Sequence, residues 1–212
     1  MPKETILLKI DPQKARSEEI KTASHILEQG GIMVYPTETF YGLGGLATSA
    51  RAVRGIYELK RREEGKPLSV VISDLDMAES IASSLPGLFR RMAAEFWPGP
   101  LTLVVKAKPI FPPRMLGPGQ SIAMRIPNVP WMIDLIRRLK APVTATSANL
   151  SGRGDISEPA EITALFEGKV DLIIDGGRTP GRQPSTVVDL AGKKPRLIRA
   201  GAIPASALAA YL

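Results

Sequence analysis

Short apolar runs alternate along this chain with amphipathic stretches, yet several of the runs follow one another with no helix between them. Parallel neighbouring strands need a crossover of about a dozen residues or more. Direct strand-to-strand succession therefore argues against a purely parallel, doubly wound sheet. The pattern predicts an α/β domain with α+β character, built on a twisted mixed β-sheet flanked by helices.

The first strand is expected at "TILLKI" (5–10), followed by a helix capped by Ser17 and ending at Gly30-Gly31. Next come a buried strand "IMVYP", a loop "TETFYGLGGLATS", a helix "SARAVRGIYELKRR" and a strand "PLSVVI". Two helices fill 76–96, and "PGPLTLVVKA" is a further strand; the proline- and glycine-rich "KPIFPPRMLGPGQ" must be loop. A strand "SIAMRIP", a helix "PWMIDLIRRLK" and a strand "PVTATSA" lead into the polar loop "NLSGRGDISEP". A short helix then precedes strands at "VDLIID", "STVVDLA" and "RLIRAG". With no internal repeat and no long linker, the 212 residues are expected to form one domain, 1–212.

Composition removes several chemistries. The chain has no cysteine, which excludes disulfides, thiolate nucleophiles and cysteine metal sites. Its single histidine, His25, all but removes a zinc enzyme and sits beside no other catalytic residue type, so a structural or surface role is expected for it. The N-terminus lacks a signal-peptide pattern, and no apolar run approaches the roughly 20 residues of a membrane helix. A cytoplasmic protein without a membrane partner is expected. Lys plus Arg exceeds Asp plus Glu by 28 − 21 = 7. Such a surface attracts polyanions but does not separate RNA from ATP.

Two nucleotide motifs fail on their context. Gly42, Gly44 and Ala47 match G-x-G-x-x-A, but "TETFY" separates them from the preceding strand, where a dinucleotide fingerprint would follow directly. Gly65-Lys66 is followed by Pro67 instead of the Ser or Thr of a P-loop. Aromatic residues are too scattered for a base-stacking platform.

"YELKRREEGKP" (57–67) is more informative, because it crowds Lys60, Arg61, Arg62 and Lys66 together. A nucleic-acid backbone, a solvated helix end favoured by the macrodipole, and a small polyanion are all open readings. Lys66 is pinned by a proline at the mouth of a strand, where α/β proteins usually build ligand sites. Three further clusters sit at comparable places. "YPTET" carries two hydroxyls around Glu38. Arg125 lies inside an otherwise apolar strand and should meet a carboxylate or a ligand. "TATSANLSG" (144–152) ends a strand in a turn that can aim N–H groups at an anion.

Together "YPTETFYGLG", "KRREEGKPLSVVI", "FWPGPLTLV", "MRIP", "TSANLSG", "STVVD" and "IRAGAI", in this order over residues 31 to 203, closely resemble the YrdC-type threonylcarbamoyl-AMP synthases. The resemblance implies a single YrdC-like domain with a concave basic cleft. It also implies that L-threonine and bicarbonate give N-carboxy-threonine, whose carboxylate attacks the α-phosphate of ATP and releases pyrophosphate. Partner proteins would then pass the threonylcarbamoyl group to tRNA.

On this resemblance Lys60, Arg62 and Lys66 are the catalytic clamp on the triphosphate, while Arg61 points to solvent. Ser121, Ser147, Asn149 and Arg199 fall on ATP-contacting positions, and Thr39, Arg125, Ala145 and Ser185 on L-threonine positions. Mg2+ is expected with ATP, with no dedicated protein ligands. The chain departs from longer family members, which carry a histidine where "SVVI" stands and add a second domain after "RAGAI". It therefore resembles the short form, and its "RGDISEP" departs at Ser157 from the family's commoner Ser-Pro-Thr. Two other readings stay open: an RNA-binding module of this fold for tRNA or double-stranded RNA, and a paralogue acting on another acyl or carbamoyl adenylate.

Overall fold

Short strands with apolar residues on both faces need helices on both sides, and this chain supplies them. The computed structural model describes residues 4–150, 154–181 and 183–212. Its strands are β1 (Ile6–Lys9), β2 (Met33–Tyr35), β3 (Gly42–Gly44), β4 (Ser69–Val71), β5 (Leu101–Lys106), β6 (Ser121–Arg125), β7 (Val143–Ser147), β8 (Leu172–Asp175), β9 (Thr186–Asp189) and β10 (Arg196–Arg199). They form one ten-stranded sheet in the order β1-β8-β2-β3-β7-β4-β6-β5-β9-β10. The pairs β1/β8, β8/β2, β4/β6 and β5/β9 are parallel and the others antiparallel, so the sheet is mixed as expected.

The helices are α1 (Ser17–Glu28), α2 (Ala50–Lys60), α3 (Leu75–Ile81), α4 (Gly87–Phe96), α5 (Pro130–Leu139) and α6 (Pro159–Phe166). Alternate strand residues divide the core. Val34, Val70, Leu103, Met124 and Val188 face α2, α3, α4 and α6 in one cluster. Met33, Tyr35, Val71, Val143 and Leu172 face α1 and α5 in the other, where Leu27, Trp131 and Leu135 are also buried. On β4 the residue two before Val71 is Ser69, which shares Val71's side of the sheet because side chains alternate. Ser69 meets a cavity instead of a helix. The cavity is thus the part of this sheet face that lies beyond α1 and α5.

Two expectations are corrected. The stretch expected as a loop at 37–49 contains β3, which pairs antiparallel with β2. Glycines weaken a strand's local signal, but here they make room. A Cβ on Gly42 would lie 2.9 Å from Tyr35 Cζ, and one on Gly44 would lie 2.8 Å from Tyr35 Cε1 and 2.6 Å from the Thr144 carbonyl oxygen. The first helix is capped by Arg16, not Ser17: Glu19 reaches back to accept the Arg16 backbone N–H at 2.6 Å and the Arg16 Nε–H at 2.8 Å. The proline-rich loop also carries one 3-10 turn, Pro113–Met115. Among the described residues no helix is long and apolar enough to cross a membrane.

Gly44→Ala should therefore overpack the β2–β3–β7 junction and destabilise the protein by about 1–3 kcal/mol. Thermal or urea unfolding checks this, and an unchanged midpoint would show that Tyr35 does not press on this strand as described.

Candidate active site

One row of the sheet lays the floor of the cavity. Cross-strand register aligns Ala145 of β7 with Ser69 of β4, Ser69 with Ala123 of β6, Ala123 with Val104 of β5, Val104 with Asp189 of β9, and Asp189 with Arg196 of β10. All of them line a cavity of about 650 Å³, within the usual range for small-molecule sites. Ala145, Ser69 and Ala123 are small, which leaves depth at one end of the row.

The basic turn forms one wall. Arg61 caps α2 in the left-handed region (φ 49°), and Gly65 turns the chain again at φ +84°. Arg62 then folds over its own turn, donating from Nε to the Lys66 carbonyl (3.1 Å) and from Nη2 to the Pro67 carbonyl (2.9 Å). The Tyr57 hydroxyl lies 2.6 Å from the Lys66 carbonyl and 2.8 Å from that of Arg114, whose guanidinium stacks on the Tyr57 ring at 4.5 Å. Arg62 and Lys66 consequently line the cavity from a fixed backbone, as do Gly117, Pro118 and Ser121. The Lys66 ammonium is exposed and pairs with exposed Glu63, at 2.9 Å.

Lys60 stands elsewhere. It is 1% exposed and is absent from the cavity lining. Its ammonium donates to the Ser147 carbonyl, the Asn149 carbonyl (2.8 Å) and Asn149 Oδ1 (2.8 Å), so all three of its N–H groups brace the turn after β7. Asn149 Oδ1 also accepts from Ser147 Oγ at 2.8 Å, and Asn149 Nδ2 donates to the Gly154 carbonyl at 3.2 Å. Burial, and secondarily the Arg62 charge, push the Lys60 ammonium down to about 8, against the opposing pull of Asp155.

At the other end Arg125 of β6 is 8% exposed and forms a short ion pair with Glu38. This is the carboxylate partner expected for a guanidinium in an apolar strand. Thr39 beside it is held by a 3.0 Å hydroxyl contact to Thr37 and by the Gly181 N–H donated to its carbonyl at 2.8 Å. Arg199 is spent on Ser185, donating to its carbonyl from Nε (3.0 Å) and Nη2 (2.7 Å) and to its Oγ from Nη2 (2.9 Å). Ser185 Oγ lies 2.9 Å from Thr102 Oγ1. Burial works against the Arg199 charge, Asp155 supports it, and Arg125 opposes it.

The fold thus brings Thr39, Arg62, Lys66, Ser121, Arg125, Ala145, Ser147, Ser185 and Arg199 to one cavity, while Lys60 and Asn149 stand behind its wall. Arg61 is exposed, and His25 is exposed on α1. Ser157 is not in the lining; its carbonyl accepts the Thr179 N–H at 3.1 Å. Part of the "NLSGRGDISEP" loop, residues 151–153, lies outside the described residues. Sequence reasoning missed Asp155, Asp189 and Arg196. The period-two spacing of "STVVD" and "RLIR" could have put the last two on one face. No group of three or more His, Cys, Asp or Glu residues suited to a metal ion occurs among the described residues.

Comparison with known proteins gives a consistent picture. A family model for Sua5, YciO and YrdC proteins, described as telomere recombination, matches residues 25–201. A threonylcarbamoyl-AMP synthase of Pyrococcus abyssi is 36% identical over 202 residues, covering 94% of this chain and 58% of that protein. The crystal structure of P. abyssi Sua5 complexed with L-threonine superposes with a TM-score of 0.92 at 33% identity, over 98% of this chain and 61% of the other. E. coli YciO superposes with a TM-score of 0.88 at 29% identity, over 98% of this chain and all of YciO. The chain therefore spans about three fifths of the length of the P. abyssi proteins and the full length of YciO.

Replacing Lys60 by Met removes the three hydrogen bonds its ammonium gives to the β7 turn, which should cost about 1–3 kcal/mol at pH 7. The pH dependence carries a separate sign. The folded-state value near 8 lies below the ordinary 10.5, so between those pH values the unfolded chain holds more protons and stability rises with pH. Subtracting the Lys60→Met unfolding profile from that of the parent should reveal this rise. A flat difference from pH 8 to 10.5 would contradict the described burial.

Proposed function

The chain belongs to the Sua5, YciO and YrdC family, and from that premise we propose that it is an L-threonylcarbamoyladenylate synthase. Its substrates would be ATP, L-threonine and bicarbonate, and its product would serve the threonylcarbamoyl-adenosine modification of tRNA through transfer proteins. The observation that carries the reading is one cavity with two unlike cationic ends: Arg62 and Lys66 on an exposed turn at one, Arg125 and Arg199 beside Thr39 and Ser185 at the other. Small residues floor the space near Ala145, Ser69 and Ala123. This division suits a nucleotide polyphosphate lying against an amino acid.

In the proposed reaction the carbamate oxygen of N-carboxy-threonine forms a bond to the α-phosphorus of ATP. The bond from that phosphorus to the bridging oxygen breaks, and pyrophosphate leaves with the electron pair. The attacking oxygen is already anionic, so the step asks for positioning and charge stabilisation more than for an acid or base. Arg62 and Lys66 would meet the charge that builds on the departing phosphates, Ser121 and Ser147 would flank the nucleotide, and Arg125 would take the threonine carboxylate through its fork. Lys60 and Asn149 would act from behind, by holding the turn that presents Ser147. Mg2+ would arrive with ATP, coordinated by phosphate oxygens and water, since among the described residues only Asp155 and Asp189 bring carboxylates to the lining.

Incubation of the protein with ATP, L-threonine, bicarbonate and Mg2+ should release pyrophosphate only when all are present. Absence of release from folded protein would reject the reading. Replacing L-threonine by L-serine tests for a paralogue with another substrate. Arg62→Ala should slow pyrophosphate release by about a hundredfold or more without altering the melting temperature by more than a few degrees; near-normal turnover would remove the clamp from the mechanism.

A further inference from the structure

The Arg125–Glu38 pair is unfinished on both sides. Arg125 is almost fully buried and carries five N–H donors, yet among the described residues only Nη1 finds a partner, Glu38 Oε1. Glu38 Oε2 is shielded from solvent and accepts no hydrogen bond there. The neighbouring polar groups are differently placed: Arg199 is bonded to Ser185, and the Lys60 ammonium is fully spent on the β7 turn. Open donors and an open acceptor are thus concentrated at the Thr39 end of the cavity.

We propose that Glu38 is a positioning residue that, acting through Arg125, makes this end of the cavity selective for an amino-acid zwitterion over a simple carboxylate. The inference rests on the amino-acid reading given above. A guanidinium alone would draw any small anion, and Arg199, near enough to oppose the Arg125 charge, would strengthen that pull. Glu38 cancels the net attraction of Arg125 and leaves its directional donors. The pair is then a dipole whose Arg125 end lines the cavity. A zwitterion can lay its own dipole against it, carboxylate to Arg125 and ammonium within the field of Glu38. A carboxylate without an ammonium gains only the first half.

The test compares L-threonine with (R)-3-hydroxybutanoate, which lacks only the α-amino group, by calorimetric titration of the full chain, with ATP as the control ligand. The parent protein should prefer threonine by at least about tenfold, equivalent to about 1.4 kcal/mol. Glu38→Gln, nearly isosteric but uncharged, should reduce that preference by about tenfold while ATP affinity stays within about twofold. An unchanged preference in folded Glu38→Gln overturns the proposal. Should that variant fail to fold, Glu38→Asp decides: it should retain the preference while weakening both ligands, and loss of preference with the charge retained overturns the charge-balance role. A parent protein that prefers threonine but releases no pyrophosphate would sink the synthase reading and leave this inference standing. A parent protein that does not distinguish the two ligands would overturn this inference whether or not pyrophosphate appears.

Discussion

A buried ammonium is tolerated only where its donors are met, and the site is organised around how Lys60 meets that condition. The last residue of α2 turns inward and ties the helix to the turn that follows β7. The next residues leave the helix through a left-handed Arg61 and form the basic turn. One side chain thus joins the β4–β7 ladder in setting the spacing between the wall carrying Arg62 and Lys66 and the strand end carrying Ser147. Both loops are tied to the same helix terminus.

The arginines are organised on a different principle. Arg62 and Arg199 are folded back onto backbone carbonyls, so each is held in one orientation before any ligand enters. Such preorganisation reduces the ordering entropy that binding would otherwise cost. Arg125 is held by a charge instead, and most of its donors find no partner among the described residues. The two ends of the cavity thus combine rigidity with unequal side-chain engagement.

Much of this was legible in the sequence, for physical reasons that differ by residue. Arg125 announced a partner because a guanidinium between apolar strand residues must be compensated. Lys66 stood out because a proline fixed it at a strand mouth, and it lines the cavity. The inward turn of Lys60 was not legible, since its acceptors are mostly backbone carbonyls and carbonyls leave no mark in the choice of residue. β3 was hidden because its glycines serve the Tyr35 ring and not strand propensity. Asp155 was hidden because it sits in a polar loop with no strand or helix periodicity to orient its side chain, which takes a hydrogen bond from the nearby Asn149 amide.

The floor row carries a last consequence. Its members alternate along each strand with the residues that fill the hydrophobic core, as Ala123 does with Ile122 and Met124, or Val104 with Leu103 and Val105. Losing or gaining a single residue inside β5 or β6 would exchange the two sets, sending bulky aliphatics into the ligand space and small or polar groups into the interior. Length variation in these strands is therefore closed to gradual change, and diversification of the chemistry is left to point substitution and to the connecting loops.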